Sequence, residues 1–124
     1  MSQTIDVSIK TSQLVVGDGV RTENAKPTTA TAYKRGDLVA VSAANVVTHA
    51  ADAGSWDAIV IEDMTADQST YHVTNSLEMP LYVQGAFDVD VVTLNGVALT
   101  APQKVTARAK ALKNKIELRK VAGG

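Results

Sequence analysis

The chain has no cysteine, and one tryptophan, three tyrosines and one phenylalanine supply all of its aromatic surface. Without cysteine, neither disulfides nor thiolate metal sites can staple the fold, which leaves oligomerisation as the available reinforcement. With so few aromatics the core must be built from Val, Ile, Leu and Ala, and trimming any large residue in such a light core will be felt. No apolar run approaches the roughly 18 residues of a membrane-spanning helix. The first residues lack the basic-then-apolar pattern of a secretory signal, so the expected product is made in the cytoplasm and has no membrane partner. Between Gly36 and Gln103 there is no Lys or Arg at all.

What is present fits one compact domain: 124 residues, 45% hydrophobic, with a net charge of −1. A chain of this length buries roughly two-thirds of its unfolded surface. The charge is unevenly spread. Asp37, Asp52, Asp57, Glu62, Asp63, Asp67, Glu78, Asp88 and Asp90 fill the base-free stretch, whereas Lys104 to Lys120 carries seven bases against the single acid Glu117. Two readings follow: solvated faces that pair within one monomer, or an acidic face of one subunit meeting a basic face of the next. Nucleic acid is not an expected partner, because the basic segment has no aromatic residue to stack on bases and the acidic body repels phosphate.

Along the chain, Thr4 to Lys10 alternates strictly, with Ile5, Val7 and Ile9 on one face, the period of a half-buried strand. Gly17, Asp18 and Gly19 signal a turn, and Arg21 to Thr31, polar and punctuated by Pro27, reads as a linker. Residues 1–32 are therefore expected to form an arm and linker, and 33–124 a β-rich body. In the body, short strands are predicted at Leu38–Val41, Val46–His49, Ala58–Met64, Thr70–Val73, Leu81–Val83 and Phe87–Leu94, with a turn at Thr65–Ser69. Asn95 and Gly96 are the dipeptide of tight hairpins. Thr100 with Gln103 matches a capping box, and Pro102 is tolerated in a first helical turn. The one predicted helix carries a stripe of Val105, Ala109 and Leu112 beside Lys104, Arg108 and Lys113, and Ile116 and Leu118 alternate as a closing strand. The expected class is α+β or mainly β: a barrel- or sandwich-like domain of short strands, one short helix near the C-terminus and an extended N-terminal arm.

The chemistry-bearing residues are sparse. Asp88 and Asp90, two apart on a strand, share a face, but a hard cation needs about six oxygens and nothing nearby supplies them. Glu62 and Asp63 point to opposite sides of a continuing strand, which argues against a paired acid and base. His49 and His72 have no Cys, His or acid at ligand spacing. Neither a nucleophile elbow nor a phosphate loop occurs. No catalytic residue, metal or cofactor is assigned. Arg35, Gly36 and Asp37 spell an adhesion tripeptide, although the glycine has a structural task in starting a strand.

The order of elements resembles the lambda-type head decoration proteins of tailed phages. The likeness is carried by Gly36, Asp37, Leu38 and Val39; by Trp56 to Asp63, a strand ending in an acidic pair; and by Leu81 to Phe87, where Val83, Gly85 and Phe87 match a strand with valine, glycine and phenylalanine in that order. A short helix and terminal strand complete it, over about Tyr33 to Val121. The family often has a glycine where this chain has Ala58 or Ile59, and another where it has Asn114 and Lys115. The resemblance implies a homotrimer at threefold sites of an expanded capsid, on the virion exterior. Its partner would be the major capsid protein, and it would cement the shell against packaged DNA through an N-terminal arm.

The arm residues expected to bind the capsid are Ile5, Val7, Ile9, Leu14, Val15 and Val16. A strand of this kind suits addition to an exposed sheet edge, where main-chain hydrogen bonds give affinity and side chains give register. Trp56, Tyr82, Phe87, Lys104 and Arg108 are expected at the trimer interface. One alternative is an adhesion module, which requires Arg35 to Asp37 at an exposed loop tip. Another is a small trimeric β enzyme such as a nucleotide pyrophosphatase, which the base-free stretch from Gly36 to Gln103 disfavours.

Overall fold

The structure, a computed structural model, describes residues 13–120. Its centre is one long strand. β5 (Met79–Asp88) replaces the two short strands predicted at Leu81–Val83 and Phe87–Leu94, and it ends in a turn where Val91 and Val92 bond back to the Asp88 carbonyl. Along its first half β5 lies between β1 (Arg21–Ala25) and β4 (Ala58–Val60), both antiparallel to it. Along its second half it pairs with β8 (Ile116–Arg119), which runs parallel, and with the short segment Leu14–Val16, joined by the bonds Val16 N to Ala86 O and Asp88 N to Leu14 O. Gly85 marks the change of partners. Its φ is +138°, and a Cβ there would lie 3.2 Å from both the Phe87 ring and Val20, so only glycine lets the strand bend at this point.

The sheet continues from β4 to β2 (Leu38–Val41) and β3 (Val47–His49), in the order β1-β5-β4-β2-β3. Its two ends are drawn together at one bridge only, Lys26 to Val46, so the sheet curls without closing into the barrel that the sequence suggested. Residues alternate across it. Leu38 and Ile59 join Trp56, Phe87, Val89 and Val92 in one core cluster, while Val39, Ala58 and Val60 join Tyr33, Val47, Met79 and Leu81 in another on the opposite face. β6 (Thr93–Leu94) and β7 (Val97–Ala98) form a separate hairpin whose central Asn95 and Gly96 both have positive φ, as a primed turn requires.

Two predicted segments take other forms. Arg21–Ala25, read as linker, is strand β1: its first four residues are exposed and polar, as an outer strand tolerates, and its backbone is held by β5 while Ala25 is buried. Thr65–Val73, read as turn and strand, belongs to helix α1 (Ala66–Thr74). Thr65 accepts from the Gln68 N–H and the Gln68 side chain accepts from Thr65 N, a capping box that outweighs the β-branched Thr70 and Val73. β4 likewise stops at Val60, short of the predicted Met64.

Helix α2 (Ala101–Ala111) begins with the Thr100–Gln103 capping box. It buries Ala107 and Ala111 in the first core cluster, beside Trp56 and Ile116. The turn into β8 is held by Asn114 Nδ2 donating to the Trp56 carbonyl at 2.9 Å, and it requires φ +62° at Lys115. A non-glycine residue there is strained by about 1 kcal/mol. Lys115→Gly is therefore expected to raise stability by up to about 1 kcal/mol in denaturant unfolding; an unchanged or lower midpoint would show that the turn carries no such strain.

Candidate interaction surface

The closest approach to a catalytic grouping is Tyr33, Asp37 and His49. His49 stacks on Tyr33 with ring centroids 5.1 Å apart, bonds the Ala32 carbonyl through Nε2 at 2.7 Å, and turns Nδ1 toward Asp37 Oδ2 at 3.8 Å. The Asp37 carboxylate is buried and already accepts from Lys34 N, Gly96 N and the Thr93 hydroxyl. These bonds fasten the β6–β7 hairpin to the turn before β2, so the carboxylate's task is structural. With Gly36 and Asp37 both buried, the Arg35–Gly36–Asp37 tripeptide does not stand at an exposed loop tip. His72 lies on α1, not on a strand, and its Nδ1 contacts the Gln68 carbonyl.

Asp88 and Asp90 do not share a strand face. Asp88 is the buried last residue of β5 and accepts from the Asp90 N–H, while Asp90 sits in the following turn between Lys104 at 2.6 Å and Lys120 at 3.0 Å. The hydrogen bond from Lys104, then that from Lys120, holds the Asp90 carboxyl below its ordinary value. Because the folded-state value is depressed, this contribution is present above the ordinary carboxylate range and is lost as pH falls through it. Asp90→Asn is expected to flatten the acid limb of the stability profile below about pH 5. Its cost at neutral pH should stay within about 1 kcal/mol per pair, since the group is partly exposed. An unaltered acid limb in the variant would refute the assignment.

The structure places the expected interface residues as follows. Trp56 and Phe87 are fully buried in the monomer's own core and offer no surface, because this light core uses both rings as filler. Tyr82 is half-buried against Phe87, with its hydroxyl near Arg35. Lys104 is engaged by Asp90 within the same chain. Arg108 remains on the exposed side of α2, its Nε donating to the Leu118 carbonyl. Of the arm residues, Leu14 is a core residue at 2% exposure and Val15 and Val16 lie along β5. Ile5, Val7 and Ile9 lie outside the described residues.

Among the described residues, the large apolar side chains left exposed lie on or just beyond the two helices, with Val20, and Val97 of the β6–β7 hairpin, besides. On α2 and its C-cap, Val105 is 71% and Leu112 81% exposed, with exposed Ala109 between them. The apolar stripe read from the sequence thus faces outward; the small Ala107 and Ala111 turn inward because they allow the helix to sit close to β8 and Trp56. On the other side of the sheet, Val73 and Leu77 at the end of α1 form, with Pro27 and Val46, the walls of a groove of about 390 Å³. Pairing within the chain accounts for part of the charge pattern. Asp90 pairs with Lys104 and Lys120, and Asp57 lies near Lys110, whereas among the described residues Glu62, Asp63, Asp67, Glu78, Lys113 and Lys115 make no ion pair.

No protein-family model and no curated protein sequence matches this chain. The site therefore rests on its geometry: a stripe on α2 and a groove beside α1. The groove is the feature the sequence did not reveal. Its walls come from residues as far apart as Pro27 and Leu77: the Lys26–Val46 bridge sets Val46 beside Pro27, and the Ala25–Met79 pairing together with the Ser69–Thr31 bond sets the end of α1 there.

Proposed function

We propose that this chain is a phage head decoration protein, a structural β-rich subunit that binds as a homotrimer at threefold sites of the expanded capsid. From the virion exterior it would stabilise the shell against packaged DNA, its partner being the major capsid protein. The observation that carries the reading is the rooting of the N-terminal segment. Leu14 is buried and its backbone joins β5, so the alternating sequence Thr4–Lys10 is separated from a sheet by only three residues, Thr11, Ser12 and Gln13. An alternating strand sequence so closely tethered suits addition to the edge of a neighbouring protein's sheet. The order of Gly36–Val39, Trp56–Asp63 and Leu81–Phe87, resembling the decoration family, supports the same reading. Burial of Asp37 weighs against the adhesion alternative.

Mixing the purified protein with empty expanded capsids and imaging them tests the reading. Three-lobed density over local threefold axes is the expected result. Bare capsids at saturating protein, or density at isolated sites of other symmetry, would overturn it.

A further inference from the structure

We infer that Asn95 is a site of spontaneous modification, an asparagine able to cyclise onto the Gly96 nitrogen, and that the buried Asp37 carboxylate keeps the reaction shut while the β6–β7 hairpin is docked. The site belongs to the monomer and needs neither a capsid nor a second copy. The chain has five asparagines, and only Asn95 is followed by glycine. In this cyclisation the backbone nitrogen of the next residue attacks the side-chain carbonyl, so a residue without a Cβ in that place leaves the approach open. Both residues are exposed, and a Cβ built on Gly96 would come no nearer than 3.5 Å to the Lys34 side chain. Three of the other asparagines have their amide nitrogen tied to a carbonyl: Asn45 to Asn24 at 3.2 Å, Asn75 to Tyr71 at 2.8 Å and Asn114 to Trp56 at 2.9 Å. Ring closure would have to break those bonds.

Water is the only co-reactant. Gly96 N gives its proton to solvent base and bonds to Asn95 Cγ; the Cγ–Nδ2 bond then breaks and ammonia leaves, which closes a five-membered imide. Water adds to one of the two imide carbonyls and the C–N bond of that carbonyl opens, leaving an aspartyl or an isoaspartyl residue. An amide has been exchanged for a carboxylate, with nothing oxidised or reduced.

The docked hairpin withholds the nucleophile. Gly96 N–H donates to Asp37 Oδ1 at 2.8 Å, and that carboxylate is 1% exposed. A negative charge so close opposes loss of the amide proton. The nitrogen is also fixed in place: Thr93 N donates to the Gly36 carbonyl at 3.0 Å, the Thr93 hydroxyl donates to the same Asp37 oxygen, and the pairs Thr93–Ala98 and Leu94–Val97 set the turn in which Asn95 and Gly96 have φ of +49° and +80°. Attack therefore waits until the hairpin lifts off Asp37, a local opening that does not require global unfolding. Once made, the change runs one way. An isoaspartyl linkage lengthens the main chain, and either product sets a carboxylate on the residue before Gly96, where the charge of Asp37 opposes redocking.

Peptide mapping by mass spectrometry, on the purified chain aged in mildly alkaline buffer, tests this. In the folded wild type Asn95 is expected to react at least about tenfold more slowly than in the same chain unfolded in urea. Asp37→Ala should remove most of that protection, whereas Leu118→Ala, which lowers stability from β8 and leaves the hairpin tied, should keep a rate near the wild type's. Equal rates in the folded and unfolded chain would overturn the gate. Equal acceleration by both variants would do the same, since the rate would then follow global unfolding. A slower reaction in Asp37→Ala would make the carboxylate a base for the step, and the gating role would fall. Circular dichroism verifies the fold of each variant. Should Asp37→Ala fail to fold, Thr93→Val replaces it: it removes the hydroxyl bond to Asp37 with little change of shape and is expected to speed the reaction about fivefold. An unchanged rate there would refute the gate, and reaction at another asparagine before Asn95 in the unfolded chain would refute the site.

Discussion

Asp37→Ala is expected to lower the unfolding free energy by about 3 kcal/mol, with a fall in the thermal midpoint on the order of 10 °C. The carboxylate is 1% exposed and is the shared acceptor for three donors: Lys34 N at 2.8 Å, Gly96 N at 2.8 Å and the Thr93 hydroxyl. Those donors belong to different parts of the chain, the turn before β2 and the β6–β7 hairpin, which otherwise meet through one bridge between Asp37 and Thr93. Alanine would leave buried N–H groups without acceptors, and the hairpin would lose its main polar attachment. Asp37→Asn should cost less. Its oxygen can serve Thr93 and Gly96, but its amide would then present N–H toward the Lys34 N–H, so one bond is lost. Arg35→Ala should cost least, within about 1 kcal/mol, because the guanidinium is exposed and bonds the Ile61 carbonyl at the surface. A motif read by a receptor would be insensitive to this ranking in unfolding experiments. Equal stability for all three variants would show that Asp37 is not the tie described here.

The same sequence signal was legible in one place and masked in another. Thr100 and Gln103 announced α2 because an apolar stripe followed them. Thr65 and Gln68 form the identical box, yet the residues behind them, Thr70, Tyr71 and Val73, carry β propensity and no helical stripe. Propensity won on paper and the cap won in the fold. The Asn95–Gly96 hairpin and β2, β3 and β8 were readable because each depends on a few adjacent residues. β1 was not, since its polar residues take their conformation from β5, more than fifty positions away in the sequence. Orientation was the hardest property to read. The α2 stripe was visible as a pattern, but a pattern does not say which face a sheet will cover, and here two alanines proved the better fit to the core. For the same reason Trp56 and Phe87 could not be told apart from interface anchors until the sheet placed them inside.

Removing Ser2–Lys10 is expected to cut capsid decoration by well over tenfold while shifting the unfolding free energy by less than about 0.5 kcal/mol. The two truncations are told apart by Leu14, which the folded body holds. That side chain is 2% exposed within the first core cluster, and its carbonyl accepts from Asp88 N at 2.9 Å while Val16 N donates to Ala86 at 3.0 Å. A truncation running through Val16 would forfeit a buried leucine, worth about 2–5 kcal/mol, together with both main-chain bonds. Loss of decoration in that longer truncation would report unfolding, so the boundary between residues 10 and 14 decides what the experiment means. If the arm adds a strand to the capsid protein, each contact is weak alone, and three arms acting from one trimer make binding steeply dependent on their number. Val7→Asp with Ile9→Asp then divides the arm's contribution. Binding lost nearly as fully as by deletion means the apolar face is buried on the capsid, whereas binding largely kept means main-chain hydrogen bonds suffice. A shortened protein that coats capsids as densely as the full chain would place recognition in the body, and the arm reading would be abandoned.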